Sequence, residues 1–121
     1  MKLLIVDDEP DLVDVLVRFL GLSGYNCLTA FDVKQATDAL AQHLPELVLT
    51  DFRLPDGDGL NVIHQARQTL HETPVIVMTG YHVPGMEEMV RRAGAANYLR
   101  KPFSLKDLKK AIDVATYGRI P

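Results

Sequence analysis

Five short apolar runs, at residues 3–6, 27–30, 47–50, 75–78 and 97–99, recur about every two dozen residues, and this spacing constrains the chain more than any other feature. Each run is too short for a helix and rich enough in aliphatic and β-branched residues for a strand. The first four lack the alternation of a half-exposed strand, which predicts strands buried on both faces, as in a parallel sheet covered by helices. The fifth is weaker and reads as an edge.

Helical patterns fill the gaps. The first sets Leu12, Val13, Leu16, Val17 and Leu20 against Asp11, Asp14 and Arg18, with Pro10 in its first turn. The second starts after Asp32 as N-cap, carries Ala36, Ala39, Leu40 and Leu44 on one face, and stops before Pro45. The third uses Leu60, Ile63, Ala66 and Leu70, with the Arg67 stem covering apolar surface. The fourth begins near Pro84, turns Met86, Met89, Val90 and Ala93 inward, and pairs Glu87 with Arg91 and Glu88 with Arg92 outward. The fifth begins at Ser104 as N-cap and buries Leu105, Leu108, Ile112 and Ala115 beneath Lys106, Lys109 and Lys110. Parallel strands joined by helices need right-handed crossovers, so the alternation predicts an α/β fold, a (βα)5 doubly wound five-stranded parallel sheet. At 121 residues one such domain accounts for the chain.

Acidic residues gather at the ends of the runs. The first ends in Asp7-Asp8-Glu9, the third in Asp51, the fourth in Thr79-Gly80 and the fifth in Arg100-Lys101-Pro102. Ligands in open α/β sheets bind beyond the carboxyl ends of the strands, and all four endings fall on that edge. Neighbouring strands about 5 Å apart would put Asp7, Asp8 and Asp51 in one small cleft. Carboxylates so close raise one another's pKa unless a cation intervenes. Lys101 is one remedy, and a hard divalent ion with oxygen ligands, Mg2+, is the other. An aspartate between Mg2+ and a lysine can attack a phosphoryl donor, because the cations stabilise the charge on the transferring oxygens. The product is an acyl phosphate, toward which the Thr79 hydroxyl and the Gly80 amide are candidate donors.

Plainer readings stand beside these. The three aspartates also read as loop carboxylates that cap the following helices, and Lys101 alone reads as a solvated lysine. Asp56-Gly57-Asp58-Gly59 lacks the spacing and terminal Glu of a calcium loop and reads as turn and cap chemistry for the third helix. His43, His64, His71 and His82 show no metal-ligand pairing and read as surface or packing residues. Met78, Met86 and Met89 read as packing residues. A net charge of -3 without a basic block argues against direct nucleic acid contact. Neither a Walker loop nor GxGxxG is present, which argues against nucleotide binding. The apolar run at 3–6 is far too short for a signal-peptide core or a membrane span, so no membrane association is expected. Cys27, the lone cysteine, excludes an intrachain disulfide, reads as a buried strand residue and fits a cytoplasmic protein.

In order and position, Asp7-Asp8, Asp51, Thr79 and Lys101-Pro102 resemble the receiver domain of response regulators in two-component signalling, over essentially the whole chain. That resemblance implies the flavodoxin-like strand order 2-1-3-4-5, which general knowledge of doubly wound sheets already assigns to the chemotaxis receiver. It implies that residues 1–121 form one phosphoacceptor domain, with any output domain lying outside this chain. It makes Asp51 the phosphoacceptor, Asp8 a direct Mg2+ ligand, Asp7 a ligand through water, and the backbone carbonyl of Arg53 a further ligand. Lys101 would pair with the phosphoryl group, and the Lys101-Pro102 bond would be cis.

The resemblance also implies a switch in which Thr79 draws Tyr98 inward and reshapes the surface of the fourth helix, fifth strand and fifth helix. Arg53 and Tyr81 stand at positions that tune phosphate lifetime in the family, and their bulk suggests slow hydrolysis. The implied partners are a sensor histidine kinase or a phosphotransfer protein, with homodimerisation on phosphorylation as a further expectation and transcriptional control as one output. Such a domain is not an enzyme in the ordinary sense, although it takes part in its own phosphotransfer and autodephosphorylation. A phosphatase of the haloacid dehalogenase kind would need an acid two residues after Asp51, where this chain has Arg53.

Overall fold

All five apolar runs form strands in the computed structural model, which describes residues 1–70, 72–81 and 83–117. The expectations for His71, His82 and residues 118–121 lie outside the described residues. In chain order the elements are β1 (Lys2–Val6), α1 (Pro10–Leu22), β2 (Asn26–Ala30), α2 (Val33–His43), β3 (Leu47–Asp51), α3 (Gly59–Thr69), β4 (Val75–Thr79), α4 (Met86–Arg92), β5 (Asn97–Arg100) and α5 (Leu105–Tyr117). The strands pair in parallel in the order β2-β1-β3-β4-β5.

Side chains alternate across a strand, so each central strand feeds two cores. Leu4, Val6, Val48, Val75 and Val77 pack with Leu40 of α2, Ile63 of α3 and Val90 of α4. Leu3, Ile5, Leu49, Ile76 and Met78 pack with Leu16 and Leu20 of α1 and Leu108 and Ile112 of α5. Burying each such Leu, Ile or Val side chain contributes roughly 1.5–3 kcal/mol. The helices start where capping chemistry starts them. Asp32 accepts the Gln35 N–H at 2.7 Å, and Ser104 Oγ accepts the Asp107 N–H at 3.0 Å. Asp58 and Asn61 form a reciprocal capping box at α3, as the turn-and-cap reading of residues 56–59 expected.

Several expectations need correction. β1, β3 and β4 are buried along their length apart from Lys2, whereas β2 is an edge strand with Asn26 and Thr29 exposed and Cys27 half-buried. β2 has a strand partner on only one side, so its outer backbone edge is unpaired although α1 and α2 pack on its two faces. Leu44 leaves the α2 face, because it terminates that helix in a left-handed conformation (φ 48°) and is exposed. α4 starts two residues later than expected and is only seven residues long, so just Met86 and Val90 reach the core while Met89 and Ala93 stay exposed. Leu105, at the first turn of α5, is also exposed. Unforeseen was a small antiparallel hairpin, Arg53–Leu54 against Gly57–Asp58, between β3 and α3.

Candidate functional site

Asp7 and Asp51 reach the same cleft because their strands are neighbours in register, Val6 opposite Thr50. One carboxylate oxygen from each of Asp7, Asp8 and Asp51 lies within 4.8 Å of the others. Asp7 is fully buried, Asp51 nearly so, and Asp8 is exposed, so the cluster is closed at its base and open at its mouth. The backbone fixes the base: the Asp7 N–H donates to the Ala30 carbonyl at 3.0 Å and the Phe52 N–H to the Met78 carbonyl at 3.2 Å.

Lys101, the residue after β5, closes the cluster. Its Nζ donates to Asp7 Oδ2 at 2.8 Å, Glu9 Oε1 at 3.1 Å and Asp51 Oδ2 at 3.3 Å. The Lys101 N–H donates to the Thr79 carbonyl at 2.9 Å, and the Lys101-Pro102 bond is cis, as expected. Thr79 is buried one residue beyond Met78, the register partner of Asp51, and its Oγ1 accepts the Tyr81 N–H at 2.9 Å. A cleft lined by Glu9, Leu12, Gly80, Lys101, Pro102 and Phe103 opens beside the lysine.

Burial pushes the Asp51 carboxyl above the usual carboxylate range; Lys101 opposes that shift and Asp7 adds to it. Burial works the other way on Lys101, but the hydrogen bond and charge of Asp7, with Asp51 and Glu9, outweigh it and hold the ammonium above its ordinary value. When ionised, the four carboxylates of Asp7, Asp8, Glu9 and Asp51 face a single ammonium here. A hard divalent cation suits that excess of oxygen donors and negative charge, and the cluster holds no sulfur or imidazole donor among the described residues, which disfavours softer metals.

Of the residues singled out from sequence, the structure brings Asp7, Asp8, Asp51, Thr79 and Lys101 to one edge. Arg53 and Tyr81 meet at the rim, where the guanidinium carbon stands 3.6 Å from the centre of the tyrosine ring. Tyr98 is not part of the pocket. It lies half-buried on β5, opposite Val77, against the core beneath α2, α3 and α4. Sequence reasoning missed Glu9 as a partner of Lys101, although its place directly after Asp7-Asp8 was a usable signal. It also missed the Arg53–Tyr81 stack, which joins two loops far apart in sequence.

Fold and site together define a flavodoxin-like protein with a lysine-answered acidic pocket at the carboxyl edge of its sheet. A model of the response regulator receiver domain matches residues 3–113. The response regulator protein PilR of Pseudomonas aeruginosa is 38% identical over 120 residues, 99% of this chain and 27% of the relative. The response regulator MprA of Mycolicibacterium vanbaalenii is 35% identical over 108 residues, 89% of this chain and 47% of the relative. The chain therefore spans less than half the length of these relatives. A solved receiver domain protein from Methanospirillum hungatei, described as CheY-like, superposes with a TM-score of 0.91 at 26% identity, covering 97% of this chain and 94% of that one.

The chain belongs to the response regulator receiver domain family of two-component systems. Receiver domains of this family are phosphorylated by histidine kinases and generally bind Mg2+ at an acidic cluster. No helix among the described residues is long and apolar enough to cross a membrane.

Proposed function

We propose that this chain is a phosphorylation-driven switch in which Asp51 accepts a phosphoryl group from a sensor histidine kinase or a phosphotransfer protein. The observation that carries this reading is the Lys101 ammonium held between the buried carboxylates of Asp7 and Asp51. An Asp51 oxygen would form a bond to phosphorus as the phosphorus–nitrogen bond of a phosphohistidine breaks, with the electron pair leaving on the imidazole nitrogen. Asp7, Asp8, Asp51 and the Arg53 backbone carbonyl would hold Mg2+, which supplies positive charge against the phosphoryl oxygens. Lys101 would shift its ion pair toward the acyl phosphate, and the Thr79 hydroxyl and Gly80 amide would donate to its remaining oxygens.

Thr79 and Tyr98 would form the switch. They share one face of the sheet, since Thr79 has the parity of Val77, the register partner of Tyr98. Movement of Thr79 toward the phosphoryl group would open space for Tyr98 and shift the α4–β5–α5 surface, which would control an output domain or a partner, or support a homodimer. The stack of Arg53 on Tyr81 supports a shielded acyl phosphate. Replacing both with alanine should speed phosphate loss severalfold, read as a shorter half-life of the phosphorylated chain; an unchanged half-life would remove them from that role.

Intact mass after incubation with acetyl phosphate and Mg2+ tests the acceptor. One phosphoryl adduct is expected, lost with EDTA and lost in Asp51→Asn. An adduct that persists in Asp51→Asn would move the acceptor elsewhere, and no adduct from any donor, a histidine kinase included, would leave an interaction module that works without phosphorylation.

A further inference from the structure

The segment between Asp51 and α3 is tied down from two directions. Within its own loop, the Gly59 N–H donates to the Phe52 carbonyl at 2.7 Å, and Asp58 accepts the N–H groups of Leu60 and Asn61 at 2.9 and 3.2 Å. The second tie leaves the loop altogether. Asp56 accepts the Val33 N–H with Oδ1 at 2.7 Å and the Lys34 N–H with Oδ2 at 3.0 Å. These are the first two amides of α2, a helix that already has its own N-cap, Asp32, on a different amide, that of Gln35. A second carboxylate there is not needed to start the helix.

What Asp56 adds is a connection between elements. Gly57 lies so close to α2 that a Cβ on it would meet Val33 Cγ2 at 3.0 Å and Asn61 Oδ1 at 2.5 Å, so the loop is wedged between the starts of α2 and α3. The Val33 hydrogen bond, above all, holds the exposed Asp56 carboxyl below the usual carboxylate range, which keeps it ionised as an acceptor. Arg53, Leu54, Gly57 and Asp58 are paired as a hairpin, so a force on Asp56 is transmitted to the Arg53 backbone within the same pair of short strands.

We infer that Asp56 is a positioning residue for the metal-bearing loop: by gripping the first turn of α2 it fixes the Arg53 backbone at the acidic pocket, and cation affinity depends on it although it lies outside the acidic cluster. This rests on the reading that the pocket binds Mg2+ through the Arg53 carbonyl.

Calorimetric titration of the purified chain with magnesium chloride, for the wild type and for Asp56→Ala, Asp56→Asn and Asp32→Ala, tests it. Urea unfolding of the same proteins without metal measures their stability. Asp56→Ala should weaken Mg2+ binding about tenfold, the lower end of what a partner outside the ligand set contributes, and Asp56→Asn, which keeps one acceptor, should fall between. Asp32→Ala removes a cap from the same helix yet leaves the loop tied, so it should lower the urea midpoint without weakening Mg2+ binding.

Wild-type affinity in Asp56→Ala would overturn the inference. So would an equal loss in Asp32→Ala, because α2 stability rather than loop placement would then set affinity. If Asp56→Ala shows no cooperative unfolding, the same comparison is made with Asp56→Asn. No saturable binding to the wild type would overturn the metal reading and this inference with it, whereas binding indifferent to Asp56 would overturn the inference alone.

Discussion

The acidic pocket and α4, with Tyr81 and Val83 ahead of it, adjoin at the carboxyl edge of one sheet, yet they are held very differently. In the pocket Asp7, Asp51 and Thr79 are all buried, and Lys101 bonds three carboxylates at once. Next to it, Tyr81, Val83 and Met89 are each about two fifths exposed, and α4 sends only Met86 and Val90 into the core. The α4 N-cap is Gly85, in a left-handed conformation with no side-chain cap, whereas α2 and α3 each start on carboxylate caps. The buried charge lies in the pocket, whereas the charges of α4 are exposed and few buried contacts oppose movement there. Such sparsely anchored segments open at low free energy, so a change of charge in the pocket can be expressed there.

The sharpest way to break this contrast is to remove the cation from the fixed side. Lys101→Met leaves Asp7 and Asp51 buried without a cation, Asp7 keeping only the Glu9 N–H, and should destabilise the metal-free chain by on the order of 3 kcal/mol, measured by urea unfolding. A loss below about 0.5 kcal/mol would mean that solvent already screens the pocket.

A smaller effect of opposite sign is expected at Asp51. Its folded-state pKa is raised, chiefly by burial, so its ionisation opposes folding. The stability it contributes is full below the unfolded carboxylate value and is lost as pH rises through the raised folded one. Asp51→Asn should therefore raise the melting midpoint of the metal-free chain near neutral pH, with the gain shrinking on acidification. A midpoint that falls at neutral pH would show that the Lys101 ion pair outweighs desolvation.

The smallest effect belongs to the loose side. Met89→Ser should change stability by less than about 0.5 kcal/mol, the range for surface substitutions without a special role. A loss of a few kcal/mol would show α4 to be as firmly packed as α3, and the contrast would fail.

Elements governed by nearby residues were legible in the sequence. The central strands, the start of α2 at Asp32, the start of α5 at Ser104 and the four strand endings at the site all follow from local composition and from the rule that parallel sheets bind at their carboxyl edge. The misreadings share a different cause. β2 carries Asn26 and Thr29 where the inner strands are almost wholly aliphatic, and its place at the end of the strand order leaves both exposed. Met89 and Ala93 fit the helical period, but α4 is too short and too shallow to bury them. The grip of Asp56 on α2 and the Arg53–Tyr81 stack join residues that only the folded sheet brings together, and no period or cap signal in the sequence announces them.

The half-buried Cys27 on β2 makes the edge of the sheet a chemical clock. Burial pushes its thiol above the ordinary value, so at neutral pH little thiolate is available to a maleimide or disulfide reagent while β2 stays paired with β1. With no second cysteine in the chain, every labelling event reports one place. The modification rate under native conditions therefore reports the exposure of that edge strand, without an added probe, and comparing the rate before and after treatment with a phosphoryl donor would register whether a change at one border of the sheet is felt at the other.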